Sequence, residues 1–176
     1  MNNKKTSKLA VKILIPTLIV VVLATMWVFK TKKDHVFNAE QASIPVDFAL
    51  KTDTVDLDKL KEYKMPIIFD FGADACVPCQ EMAPTLKKVN ADMQGKAIIK
   101  YVDIWKNPSL GREFPIRVIP TQLIFNADGT PYVPSEKVKI NFEIFNYKDS
   151  GEHALTIHQG ILTEEQMKEI LKDMGV

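Results

Sequence analysis

Apolar and polar positions alternate along this chain in blocks of different period. Residues 56–63 (DLDKLKEY) place Leu57, Leu60 and Tyr63 at helical spacing, and Met65-Pro66 ends the pattern. Ile67 to Phe71 (IIFDF) is a compact apolar run of the kind buried on both faces of a sheet, with Asp70 its one polar member. Residues 77–93 carry Met82, Ala83, Leu86, Val89 and Met93 among charges, which predicts a helix kinked at Pro84. A second buried strand is predicted at 97–103 (AIIKYVD), followed by a mixed, helix-like segment to Arg117. A third strand at 121–126 (TQLIFN) is closed by the turn Ala127-Asp128-Gly129. Pro131 and Pro134 interrupt the next stretch, whereas VKINFEIFNY at 138–147 predicts a strand. The turn Lys148-Asp149-Ser150-Gly151 joins it to HALTIH at 153–158 as a hairpin. Thr163 and Gln166 have the spacing of a capping box, and 164–174 carries Met167, Ile170, Leu171 and Met174 on one face. Helices interleaved with strands in this order imply an α/β fold, a sheet flanked by helices.

Ahead of this body lies Ile13 to Phe29, ILIPTLIVVVLATMWVF, uncharged over 17 residues and at the short end of what a bilayer requires. The expected organisation is a cytoplasmic basic N-terminus at 1–12, a transmembrane anchor at 13–29, a polar tether at 30–43 and one folded domain at 44–176. A cleavable signal peptide is the other reading, with Val22 and Ala24 as its small-residue site, although the lysines after the run are atypical of one. Four lysines precede the run and three follow it, so the charge bias that orients a membrane segment is slight. Either reading exports the domain, and the expected location is extracytoplasmic on a single-pass anchor.

Charge and composition narrow the function. At 46% hydrophobic positions, 176 residues bury one good-sized core. The formal net charge of +1 hides an asymmetry: from Asp34 onward 16 Lys/Arg face 22 Asp/Glu. An acidic body argues against nucleic acid as a partner, because phosphate binding needs a concentrated positive face. The glycines are scattered, with no phosphate-binding loop, and Gln80 after Cys79 rules out haem attachment by C-x-x-C-H. Trp105, Phe114 and Phe125 read as core or rim packing.

The chain's two cysteines form one motif, Cys76-Val77-Pro78-Cys79, and the absence of a spare thiol suits an oxidising compartment. At the start of a helix the first sulfur meets unpaired backbone N–H groups and the positive end of the helix dipole, both of which stabilise the nucleophilic thiolate. Cys79, one turn on, is placed to resolve a mixed disulfide, and Pro78 costs the first turn no hydrogen bond. Two plainer readings compete. A structural disulfide over so short a loop restrains few unfolded conformations. A zinc site needs about four ligands, and His153 and His158, five apart, fall on opposite faces of a strand. No metal and no cofactor beyond the Cys76–Cys79 redox disulfide are expected.

These residues resemble the thioredoxin family. IIFDFGADACVPCQEMAP (67–84) is similar to the family's strand, active-site loop and kinked helix, and IRVIPTQLIFNADG (116–129) to its cis-proline segment. Gly160 and the last helix are similar to the family's C-terminal end. The resemblance implies a thioredoxin-like fold, a central mixed sheet flanked by helices, to which this chain adds the N-terminal segment and an insertion near 130–150, before the last strand. It implies Cys76 and Cys79 as the catalytic pair and Asp70 as the buried acid that exchanges a proton with the resolving cysteine. Ile119, Pro120 and Thr121, with Val77 and Pro78, are implied as substrate-facing. The chain departs from the family at Gly72 and Ala75, where tryptophans are typical, at Val77, where glycine is, and at Ile99, where a lysine often accompanies the acid.

The function expected is exchange of disulfides with protein substrates at the outer membrane face, with reduction the favoured direction because Ile119 before Pro120 is similar to reducing thioredoxins. A tether would hold the domain beside an integral-membrane electron donor, of the kind that serves cytochrome c biogenesis in similar anchored thioredoxins. A copper chaperone using the same thiolates and a disulfide-inserting oxidase are the alternatives.

Overall fold

The computed structural model describes Ala24, Thr25 and residues 45–176. The anchor and tether expected at 13–43 thus lie outside the described residues, save for Ala24 and Thr25, which are helical. Among the described residues no helix is long and apolar enough to cross a membrane.

Asp56 starts the first helix, α1 (Leu57–Leu60), by accepting the Lys59 amide hydrogen at 3.0 Å. The second half of the helix expected at 56–63 tightens into a 3-10 turn at Lys61–Tyr63, as helix ends often do. Lys64, at φ 56°, then turns the chain toward β1 (Ile67–Gly72). All six residues of β1 are buried, which is why this run is continuously apolar but for Asp70. Helix α2 (Val77–Asp92) crosses over to β2 (Ile98–Asp103), which pairs parallel with β1. Pro84 lies inside α2, which continues through it with Met82, Leu86 and Val89 buried. The helix-like segment resolves into α3 (Pro108–Glu113). Strand β3 (Thr121–Phe125) pairs antiparallel with β1, β5 (His153–Gln159) with β3, and β4 (Glu143–Asn146) with β5. The sheet order is β2-β1-β3-β5-β4, and α4 (Glu164–Asp173) closes the chain behind the capping box of Thr163 and Gln166.

The sheet is mixed and carries core on both faces. One face packs Ile68, Ile99, Tyr101 and Ile124 against Met82, Leu86 and Val89 of α2 and Met167, Ile170 and Leu171 of α4. The other gathers Ile67, Phe69, Phe71, Ile98, Val102, Leu123 and Phe125, with Leu60 and Phe114 against them. Leu50 to Thr52 cover the outer edge of β2 through Tyr101 N–H to Leu50 O at 2.7 Å and Thr52 N–H to Tyr101 O at 3.0 Å. Buried Lys100 anchors the same segment, donating to the carbonyls of Val46 (3.0 Å) and Ala49 (2.8 Å).

One predicted strand is much shorter than its pattern. Of 138–147 only Glu143–Asn146 joins the sheet. Val138, Ile140 and Phe142 do alternate inward, and Phe142 packs edge-on against Tyr132, with centroids 5.7 Å apart. This half of the run buries its apolar side chains without ladder pairing to a strand, so alternation reports a buried face and not a ladder. The hairpin turn forms as expected, with Gly151 N–H on Tyr147 O at 2.9 Å.

Candidate active site

Strand β1 ends in a loop, Ala73 to Ala75, that delivers Cys76 to the N-cap of α2. Buried Asp103 at the end of β2 holds that loop. Its carboxylate accepts from Asp74 N–H (3.1 Å) on one side and from Trp105 N–H (3.0 Å) and Lys106 N–H (3.1 Å) on the other. Burial works against the charge, but these backbone donors outweigh it and keep the Asp103 carboxyl below its ordinary range. Asp74 is bound from outside by Lys106 and Lys51, and the Lys106 bond holds its carboxyl low as well. The loop is thus held at Asp74 through both its backbone and its side chain, two residues before the first sulfur.

Cys76 and Cys79 form a disulfide with Cα atoms 5.2 Å apart. Cys76 is 8% exposed and Cys79 3%, so the first sulfur is the more accessible. The Cys79 amide N–H points at Cys76 Sγ, 3.3 Å away. In the reduced protein that donor, together with the helix N-terminus, stabilises negative charge on Cys76. Pro78 occupies the first turn of α2, and Val77 beside it is 63% exposed.

The loop before β3 faces the pair. The Ile119–Pro120 peptide is cis, Ile119 packs on Cys76, Cys79 and Ala73, and its carbonyl oxygen lies 3.8 Å from Cys76 Sγ. Thr121 is fully buried, and its hydroxyl donates to Val118 O at 2.7 Å, bracing the loop from within. Val77 at the head of α2, Val118 before β3 and Ile161 after β5 are exposed apolar residues.

Below the disulfide sits Asp70, 1% exposed, with its carboxyl pushed up to about 7 by burial against the opposing bond from Gln122. Gln122 Nε2 donates to Asp70 Oδ1 at 2.6 Å. Asp70 and Gly72 are two apart on β1 and therefore share a face. A Cβ added at Gly72 would stand 3.2 Å from Cys79 Sγ, so the acid lies one step along the strand from the resolving sulfur. The same Cβ would meet the Tyr101 ring at 2.8 Å, which explains why a bulky residue is missing at Gly72: Tyr101 fills that space. Gly72→Ala is accordingly expected to cost about 1–3 kcal/mol by overpacking, read as a lower midpoint in urea unfolding. An unchanged midpoint would mean the ring moves aside freely. A cavity of about 190 Å³ borders Cys79, lined by Leu50, Ala73, Ala83, Leu86 and Tyr101.

Cys76, Cys79, Asp70, Ile119 and Pro120, singled out in the sequence, thus meet in one place. Gln122, Asp103 and Asp74 were missed. Gln122 carried a usable signal, as the one amide in the apolar run TQLIF, two positions after Pro120. Asp103 carried none, since a carboxylate at a strand end is ordinary. His153 and His158 bond separately, to Thr156 Oγ1 and Asn141 O at 2.8 Å each. Among the described residues no group of three metal-ligating side chains is assembled.

A family model named Thioredoxin matches residues 50–141. A thioredoxin from Staphylococcus aureus is 37% identical over 82 residues, spanning 47% of this chain and 77% of that one. Among solved structures, a chloroplastic thioredoxin z is similar at 25% identity with a TM-score of 0.50, over 71% of this chain and 92% of its own. With a dithiol motif at a helix N-terminus facing a cis-proline loop, this chain belongs to the thioredoxin family. It is a thiol–disulfide oxidoreductase whose substrates are protein thiols and disulfides.

Proposed function

We propose that the chain reduces protein disulfides at the extracytoplasmic face of a membrane to which residues 13–29 anchor it. The observation that carries the chemistry is the Cys79 N–H aimed at Cys76 Sγ at the head of α2. The Cys76 thiolate attacks one sulfur of a substrate disulfide, forming a mixed disulfide and releasing the other substrate sulfur as a thiolate that takes a proton from solvent. Cys79 gives its proton to Asp70 and attacks Cys76 Sγ, releasing the substrate thiolate, which takes up a proton from solvent. Ile119 and Pro120 with Val77 and Pro78 form the rim against which the substrate lies, while Thr121 holds that loop in place. The apolar surface of Val77, Val118 and Ile161 suits a protein substrate.

The uncharged run Ile13 to Phe29 supports the anchor, and Ile119 before Pro120 supports the reducing direction. A reductase in an oxidising compartment must be recharged, and a tether beside an integral-membrane electron donor supplies that by raising effective concentration. The direction is tested by the reduction potential of the full chain, equilibrated in defined thiol–disulfide buffers. A value near about −270 mV fits a reductant, whereas one near about −120 mV turns the assignment to an oxidase. Labelling by a membrane-impermeant maleimide tests the location: reaction in intact cells is expected, and reaction only after lysis rejects it.

A further inference from the structure

Gln122 joins more of the active site than any residue the mechanism already uses. It sits directly opposite Asp70 in the β1–β3 register. It is fully buried, and its Nε2 lies within hydrogen-bond distance of three elements: Asp70 Oδ1 at 2.6 Å on β1, Gly160 O at 3.2 Å beyond β5, and Met82 Sδ at 3.4 Å, one turn after Cys79 on α2. Gly160 in turn donates its N–H to Pro120 O at 2.8 Å, so a hydrogen-bonded chain runs from the acid to the substrate loop. Two buried oxygens on this same pair of side chains, Asp70 Oδ2 and Gln122 Oε1, have no hydrogen-bond partner. Neither can donate while Asp70 is ionised, and a buried acceptor without a donor is costly. Adding one proton to Asp70 supplies a donor, Oδ2–H, on the same pair of side chains as the unpartnered Gln122 Oε1.

We propose that Gln122 is a positioning residue for disulfide exchange, an amide that holds Asp70 beneath Cys79 and accepts a hydrogen bond from its carboxyl once that group has taken the Cys79 proton. The inference rests on the reading of Asp70 as the proton acceptor. Gln122 donates to Oδ1 in both protonation states and gains a second bond in the neutral one. Proton arrival from Cys79 is thereby coupled to a more fully bonded core, and the chain through Gly160 ties that change to the loop holding the substrate. No lysine is needed beside the acid: Lys100 points to the opposite face, toward Val46 and Ala49.

The test uses the full chain with insulin as the disulfide substrate, recording kcat and KM from pH 5.5 to 9 for wild type, Gln122→Leu, Gln122→Met and Asp70→Asn. Thermal melts confirm that each variant is folded. Both Gln122 variants fill the strand position without an amide, and kcat is expected to fall by about tenfold, as for loss of a hydrogen bond to a charged group, with KM little changed. The pH midpoint is expected to move alongside, because the amide bonds the charged and neutral forms of Asp70 differently. A pH profile unmoved in both Gln122 variants, while Asp70→Asn alters it, overturns the role of Gln122. A profile unmoved in Asp70→Asn itself rejects the acid's role and the inference with it.

Discussion

Cys76→Ser is expected to reduce disulfide exchange to the uncatalysed background, while Cys79→Ser leaves an enzyme that reacts once and stops. The two sulfurs differ in exposure, 8% against 3%, and only Cys76 receives the amide hydrogen at the head of α2. Attack on an incoming disulfide therefore belongs to Cys76, and serine is no substitute, because its hydroxyl stays protonated where a thiol ionises. With Cys79 gone the mixed disulfide has no internal thiol to resolve it and accumulates. Mass spectrometry after mixing with a disulfide-bonded protein should show the covalent complex for Cys79→Ser and none for Cys76→Ser. Full turnover by Cys79→Ser would remove it from the resolving role.

Asp70→Asn is expected to make the protein more stable and slower at the same time. The folded carboxyl titrates at about 7, against 3.8 ordinarily, because burial disfavours its charge. Between those two values the unfolded chain holds an ionised carboxylate and the folded protein a neutral acid, so folding takes up a proton. Stability from this group is therefore intact below the unfolded value, falls as pH rises toward the folded one, and is fully lost above it. The shift corresponds to roughly 4 kcal/mol at alkaline pH. Asparagine keeps the shape, never ionises, and can offer Gln122 Oε1 the donor it lacks. Urea unfolding at pH 5 and pH 8 should show the advantage of the variant over wild type growing with pH, since at pH 5 only part of the loss has occurred. The same pH slope for both proteins would mean Asp70 is not the group responsible. At neutral pH, kcat should fall about a hundredfold if the carboxylate is the base in the second step. Greater stability with lost activity is the signature of a residue kept for chemistry.

Most of the fold was legible in the amino-acid order, for local reasons. Largely apolar six-residue runs at β1 and β2 mark strands with both faces covered, and Thr163 with Gln166 states where α4 begins. The cysteine pair announces its chemistry because two thiols three apart at a helix start have few other uses. The strand predicted at 138–147 is shorter than its pattern because side-chain alternation encodes which face is buried, while a strand also needs a paired backbone, and pairing with β5 stops at Glu143, opposite Ile157.

What the order of residues determined alone was the set of elements, the redox motif and the acid in the strand, since each is written in spacing or in one polar residue among apolar ones. Only the tertiary structure decided which groups meet. Gln122 becomes part of the site through antiparallel registry across a separation of 52 residues, and Asp103 holds the catalytic loop from 29 residues away. Such contacts are products of strand pairing and chain crossover, which no local period records, and they set the charge of the acid and the position of the sulfurs.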